Sequence, residues 1–254
     1  MHSGAMEISR RRDDISQFMV HLTRDDEAEW SAGGGSAKHN FTQILNDRKI
    51  LALKPHCLHG PRLKFKPRQV REQFNVACFT ETPLTQIKHL LNLPRKINLE
   101  GYGFVFERDF LLQKGAQPAQ YFSEYHGHEE QRAAFDAIYD LSVRNHFTGK
   151  TWKILPLVNV MRDGHDFSWE REWRVVGGVE FELDDLVCVI LPEDEDHLRK
   201  QMAAQGIAAI DPEWRHEQVV AELGSQLRRT KQIWMDKLPK PVPKLKLKLS
   251  KTGT

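Results

Sequence analysis

The hydrophobic positions of this chain change period several times. Phe18-Met19-Val20-His21-Leu22-Thr23 reads as a short strand with a polar residue inside an apolar run. Residues 39–48 carry Phe41, Ile44 and Leu45 at helical spacing, and Ile50 to Leu53 is extended. Residues 54–69, rich in Pro, Gly, His and basic side chains, predict a surface loop. Residues 76–82 predict a second strand. Pro83 then opens a helix through Ile87, Leu90 and Leu91, with Thr82 as its cap. Residues 102–106 and 119–122 predict strands, and a short helix between them, from Arg108, stops at Gly115. Residues 129–145 give the clearest helix, with a stripe of Ala133, Ala134, Ala137, Ile138 and Leu141. Asp163-Gly164 is a turn signal. Residues 187–191 and 207–210 read as strands, and residues 197–205 and 217–234 as helices. Strands and helices do not alternate strictly, which predicts an α+β fold.

One further strand stands out. Trp169-Glu170-Arg171-Glu172-Trp173-Arg174-Val175-Val176 is rich in aromatic and β-branched residues and closes on Gly177-Gly178. Alternate strand side chains share a face. A strand running from Trp169 would set Glu170, Glu172 and Arg174 on one side, with Trp169, Arg171, Trp173 and Val175 on the other. Two carboxylates and a guanidinium are costly to bury without a purpose, so this face is either solvated or a site.

Composition narrows the picture only a little. With 40% hydrophobic and 28% charged residues, the 254-residue chain has an ordinary globular composition. No apolar run approaches a membrane span, and no leader is evident, which leads to the expectation of a cytoplasmic protein with no membrane partner. Met1 to Ala5 reads as a cloning remnant ahead of Met6. Cys57, Cys78 and Cys188 are odd in number and widely spaced, so no disulfide framework is expected. The net charge is only +2, but residues 62–71 and the Lys/Pro-rich residues 237–251 are basic. Such patches suit a polyanion, and the tail alone also fits a solvated, disordered segment. The chain is therefore divided into an extension (1–15), one domain (16–235) and a basic tail (236–254).

Candidate chemistry comes in small pieces. His56-Cys57-Leu58-His59 and His126-Gly127-His128 lack a second pair at zinc spacing, so no metal site is expected. Cys78 has no histidine near it in sequence, and a small buried thiol is the commoner reading. No phosphate loop or dinucleotide fingerprint occurs. His21 and Thr23 share a strand face, which alone suits a satisfied core pair.

Taken in order, several segments resemble the AbiG-type abortive-infection family and, more distantly, the DarT-like ADP-ribosyltransferase toxins. They are Val20-His21-Leu22-Thr23, Phe41-Thr42-Gln43-Ile44-Leu45, residues 76–84, Tyr102-Gly103-Phe104-Val105-Phe106 and Glu170-Arg171-Glu172-Trp173-Arg174, along about two-thirds of the chain. The resemblance implies an ADP-ribosyltransferase-like fold, with two small packed sheets flanking a cleft for NAD. His21 and Thr23 would hold the adenosine-side or nicotinamide-side ribose, and Tyr102, at both the catalytic and the cofactor-binding site, would stack on or close over the nicotinamide. Glu172 would match the toxins' catalytic glutamate, with Glu170 facing the acceptor. Phe79 offers stacking surface or is plain core. Arg174 either pairs with the pyrophosphate or neutralises the glutamates. Arg48, Arg62 and Arg174 are each candidates for an assisting arginine.

Three activities remain open on this reading. The first is a toxin or phage-defence effector transferring ADP-ribose from NAD to an RNA or DNA base. The second is the same transfer to a protein, since the Glu170-x-Glu172 pair resembles arginine-directed transferases. The third is a non-catalytic, antitoxin-like module that keeps the cleft. A toxic enzyme would also be expected to have an antitoxin or immunity partner.

Overall fold

A computed structural model describes residues 16–25, 35–92, 99–125, 129–162 and 168–225. The His126-Gly127-His128 pair, the expected Asp163-Gly164 turn, the end of the expected 217–234 helix and the basic tail lie outside these residues, as does the 1–15 extension.

The strands are β1 (Phe18–Arg24), β2 (Lys49–Ile50), β3 (Val76–Thr80), β4 (Leu99–Glu107), β5 (Gln117–Pro118), β6 (Gln120–Ser123), β7 (Val158–Met161), β8 (Glu172–Val176), β9 (Val179–Glu180), β10 (Leu186–Ile190) and β11 (Ala208–Ile210). The helices are α1 (Ala37–Asp47), α2 (Gly60–Leu63), α3 (Arg68–Glu72), α4 (Ile87–Leu91), α5 (Arg108–Gln113), α6 (Glu130–Arg144), α7 (Asp196–Ala204) and α8 (His216–Ser225). The chain is thus mixed α+β.

A seven-stranded sheet in the order β11-β10-β4-β1-β3-β8-β5 forms the centre, with two-stranded ribbons β2-β9 and β6-β7 beside it. This is one large sheet where two small packed sheets had been expected. Its pairings are antiparallel except β10 with β11. The two sheet faces bury different cores. Met19, Phe79, Phe104 and Phe106 pack with Phe41 and Leu45 of α1 and Met202 of α7. Val20, Val105 and Ile190 pack on the other side with Ile87 and Leu90 of α4 and Val219 of α8. Helix α1 starts where the Ser36 side chain accepts a hydrogen bond from the His39 amide, and its Phe41 stacks on Phe104 at 4.5 Å between centroids.

Four local expectations are corrected. Residues 54–69 are not simply loop: α2 and the start of α3 fall there, with Pro61 in the first turn of α2. Thr82 does not cap the helix after Pro83. Its hydroxyl lies 2.8 Å from Thr80 Oγ1 instead, and the helix opens through a 3-10 turn. Helix α6 turns Phe135, Ile138, Tyr139 and Ser142 inward, while Ala133, Ala134, Ala137 and Leu141 are exposed. The strand around Glu172 is shorter than its sequence suggests. Residues 168–170 form a 3-10 turn, and Arg171 takes a left-handed conformation (φ 48°) before β8 begins. At its far end Gly177 and Gly178 have φ of 85° and 91°, and a Cβ on Gly178 would lie 2.4 Å from the Ile50 carbonyl oxygen. Only glycine lets the chain turn there from the main sheet to the β2-β9 ribbon.

Candidate functional site

Within β8 the expected alternation holds. Glu172 and Arg174 pair with Thr80 and Cys78 of β3, whereas Trp173 pairs with Phe79. Directly opposed antiparallel residues share a face. Glu172, Arg174, Cys78 and Thr80 therefore lie on one side of the sheet, and Trp173 and Phe79 on the other.

The first side carries a dense buried polar cluster. The side chains of Arg174 and Glu172 are only 1% and 8% exposed, a burial that charged residues tolerate only when paired. Arg174 Nε donates to Glu172 Oε1 at 3.0 Å and Nη2 donates to Oε2 at 2.8 Å, a bidentate pair. Arg174 Nη1 donates to the Pro156 carbonyl at 2.9 Å. The Tyr121 hydroxyl, delivered by β6, donates to Glu172 Oε2 at 2.5 Å.

The electrostatics follow from that geometry. Burial pushes the Glu172 carboxyl up, but the charge and hydrogen bonds of Arg174, with bonds from Cys78 and Tyr121, outweigh it and hold the group below the usual carboxylate range. Glu172 is ionised at neutral pH. Burial, then the adjacent Glu172 charge, push the Cys78 thiol well up, so it stays protonated. The same two causes raise the Tyr121 phenol, and the charge of Glu170 adds to them. His56 drops from 6.5 to about 4 through burial and then the charge of Arg24, with Arg174 and Lys54 adding to the effect and Glu172 opposing it. A neutral imidazole, a protonated thiol, a phenol and one carboxylate thus gather around Arg174, with the charge of Arg24 also acting on the imidazole and the thiol.

Glu170 enters this site by another route than predicted. It lies outside the strand, and its carbonyl accepts from Thr80 Oγ1 at 2.6 Å. Its charge still reaches Tyr121. The shared strand face of Glu170 and Glu172 is therefore corrected: the left-handed Arg171 breaks the alternation between them.

The remaining predicted residues sit across the sheet. Val20 pairs with Thr80, so the neighbouring His21 points away from the Glu172 side, and it pairs with Phe104 of β4. His21 Nδ1 is 2.9 Å from the Cys78 carbonyl oxygen, and its ring lies 5.5 Å from that of Phe79. Thr23 Oγ1 donates to the Ala37 carbonyl at 2.8 Å. The Tyr102 hydroxyl donates to Glu195 at 2.5 Å, and Lys38 pairs with the same carboxylate at 2.7 Å. His21, Thr23, Phe79 and Tyr102 thus form one group with α1, Glu172 and Arg174 form another, and the sheet lies between them. Of the other arginines, Arg62 is taken up by Asp136 and Asp140.

Tyr121, His56 and Arg24 were not singled out as site residues. Tyr121 carried a readable signal, because the alternation of Gln120-Tyr121-Phe122 in a short strand gives its hydroxyl a face of its own. His56 carried none, since only the fold brings residue 56 to residue 172.

No cluster of three or more His, Cys, Asp or Glu side chains able to hold a metal ion occurs among the described residues, and no helix among them is long and apolar enough to cross a membrane. No protein-family model, curated protein or solved structure matches this chain.

Proposed function

We propose that this chain transfers ADP-ribose from NAD to a nucleic-acid base, with Glu172 at the ribosyl centre. The observation that supports it is a carboxylate almost fully buried yet held ionised by Arg174. Perturbed ionisable groups of this kind concentrate at functional sites. In the proposed reaction the bond between ribose C1′ and nicotinamide breaks, and nicotinamide leaves with the bonding pair. Positive charge grows on the ribose, as in glycoside cleavage, and Glu172 stabilises it. The acceptor nitrogen bonds to C1′ and yields its proton to Glu170, whose charge lies near Tyr121. Arg174 acts by holding Glu172 rather than by gripping pyrophosphate, because its guanidinium is already spent on Glu172 and Pro156. Arg24 and Lys54, whose charges also act on His56, are the cations this reading assigns to the pyrophosphate. His21, Thr23, Phe79 and Tyr102 serve in this reading as the support of β1, β3 and β4 against α1.

The saturation of Glu172 favours a second reading. Both of its oxygens already accept hydrogen bonds, as in a structural ion pair of a non-catalytic module. Incubation with adenylate-labelled NAD and, separately, RNA, DNA and cell extract decides between them. Transfer to RNA or DNA by the wild type, lost in Glu172→Gln, is expected. Label confined to extract protein would move the acceptor to protein. No label anywhere would leave the non-catalytic module, and full activity in Glu172→Gln would remove that residue from the ribosyl centre.

A further inference from the structure

Phe65 is 88% exposed, far more than any other large apolar side chain among the described residues. Its position is imposed by its neighbours. Leu63 on one side and Phe74 on the other are fully buried, the Lys66 amide donates to the Leu63 carbonyl at 2.9 Å, and Pro67 follows. The segment is pinned at both ends with the ring held outward.

The ring borders a groove of about 860 Å³ between the α2 segment and α6, a size that admits a nucleotide. Ala137 and Val143 supply part of its wall. Tyr139 supplies more: its ring is sandwiched between the His59 ring, 4.5 Å away, and the Arg62 guanidinium, 4.2 Å above its centroid. Arg62 is neutralised by Asp136 and Asp140 and so serves as a flat stacking surface more than as a free charge. Lys66 and Arg144 line the same groove, and Lys64 adjoins it. These three cations form no ion pair with an acidic side chain among the described residues.

We infer that this groove binds single-stranded nucleic acid, with a base stacked on Phe65 and phosphates on Lys64, Lys66 and Arg144. A lone projecting ring finds a free partner only in a strand whose bases are not already stacked in a duplex. The charge selects a polyanion and disfavours the chain's own Lys-rich residues 237–251, which share its sign. Segment 56–59 joins the groove to the candidate site, with His56 at the Glu172 cluster and His59 on Tyr139. The inference stands apart from ADP-ribosyl transfer, since binding requires neither NAD nor Glu172.

The test is fluorescence anisotropy of the full chain with a labelled oligouridylate, its deoxy counterpart, a duplex of the same length and poly-glutamate, all without NAD. Tighter binding of the single strands than of the duplex is expected. Phe65→Ala should weaken it about 5- to 150-fold, the range for loss of one base stack, and Phe65→Trp should restore it. Lys64→Gln with Lys66→Gln should reduce the slope of log affinity against log salt by about 1.4, at about 0.7 per phosphate contact. Unchanged affinity in Phe65→Ala would overturn the inference. So would equal binding of poly-glutamate with the same dependence on Phe65, which would assign the groove to an acidic polypeptide.

Discussion

Replacing Arg174 by methionine is the perturbation whose cost the structure defines best. The guanidinium is 1% exposed and supplies two hydrogen bonds to Glu172 and one to the Pro156 carbonyl. Methionine has similar length but no charge. Glu172 would keep the Tyr121 and Cys78 bonds and lose the cation it is paired with, and the Pro156 carbonyl would lose its side-chain donor. Leaving one member of a buried pair uncompensated costs about 3–5 kcal/mol. Arg174→Met should therefore lower the free energy of unfolding by about that amount in urea titrations at pH 7. The double variant Glu172→Gln with Arg174→Met removes both charges together and should recover all but about 1–2 kcal/mol. Acid adds an independent arm. In the wild type the depressed Glu172 carboxyl contributes stability above its unfolded value, and this is lost as pH falls through its folded value. In Arg174→Met, burial without a cation raises the carboxyl, so the folded state takes up protons first and gains stability as pH falls. The gap between the two proteins should narrow below about pH 5. A loss under about 1 kcal/mol in Arg174→Met, or a double variant as unstable as the two single losses added together, would refute the reasoning.

Two further outcomes follow from the same cluster. The lowering of His56 from 6.5 to about 4 means the unfolded chain binds protons first on acidification. Stability present above pH 6.5 should fall by on the order of 3 kcal/mol toward pH 4, and His56→Gln should flatten that part of the pH–stability curve. The thiols give a chemical readout: burial pushes Cys57 up to about 11 and raises both Cys78 and Cys188 well above the usual thiol value. A disulfide reagent at pH 8 should react slowly with all three in the native protein and rapidly in urea, and fast native reaction of Cys78 would contradict its placement beside Glu172.

Period-2 alternation made the central pair legible, because it is a local property. Glu172 and Arg174 had to share a face, with Trp173 and Val175 opposite. The Glu170 placement was not legible, since nothing in Trp169-Glu170-Arg171-Glu172 announces that Arg171 adopts a left-handed φ of 48°. Nor could the separation of His21 from Glu172 be read along the chain. It depends on Val20 facing Thr80 and Thr80 facing Glu172, two registers between segments far apart in sequence. Helix α6 shows a different limit. Its alanine stripe and its Phe135-Ile138-Tyr139-Ser142 stripe both fit a period of 3.6, and the larger aromatic surface, stacked on His59 and edge-on to Phe147, takes the interior. That choice leaves Ala137 in the wall of the groove beside Phe65.

The proposed chemistry releases one nicotinamide for each ADP-ribose transferred. The most direct measurement is nicotinamide release from NAD, followed chromatographically with single-stranded RNA or DNA present, alongside the mass of the nucleic acid. The account predicts release that depends on the strand, a mass gain of one ADP-ribose per modified base, and neither signal in Glu172→Gln. Release absent with every acceptor, or unchanged by Glu172→Gln, would contradict it.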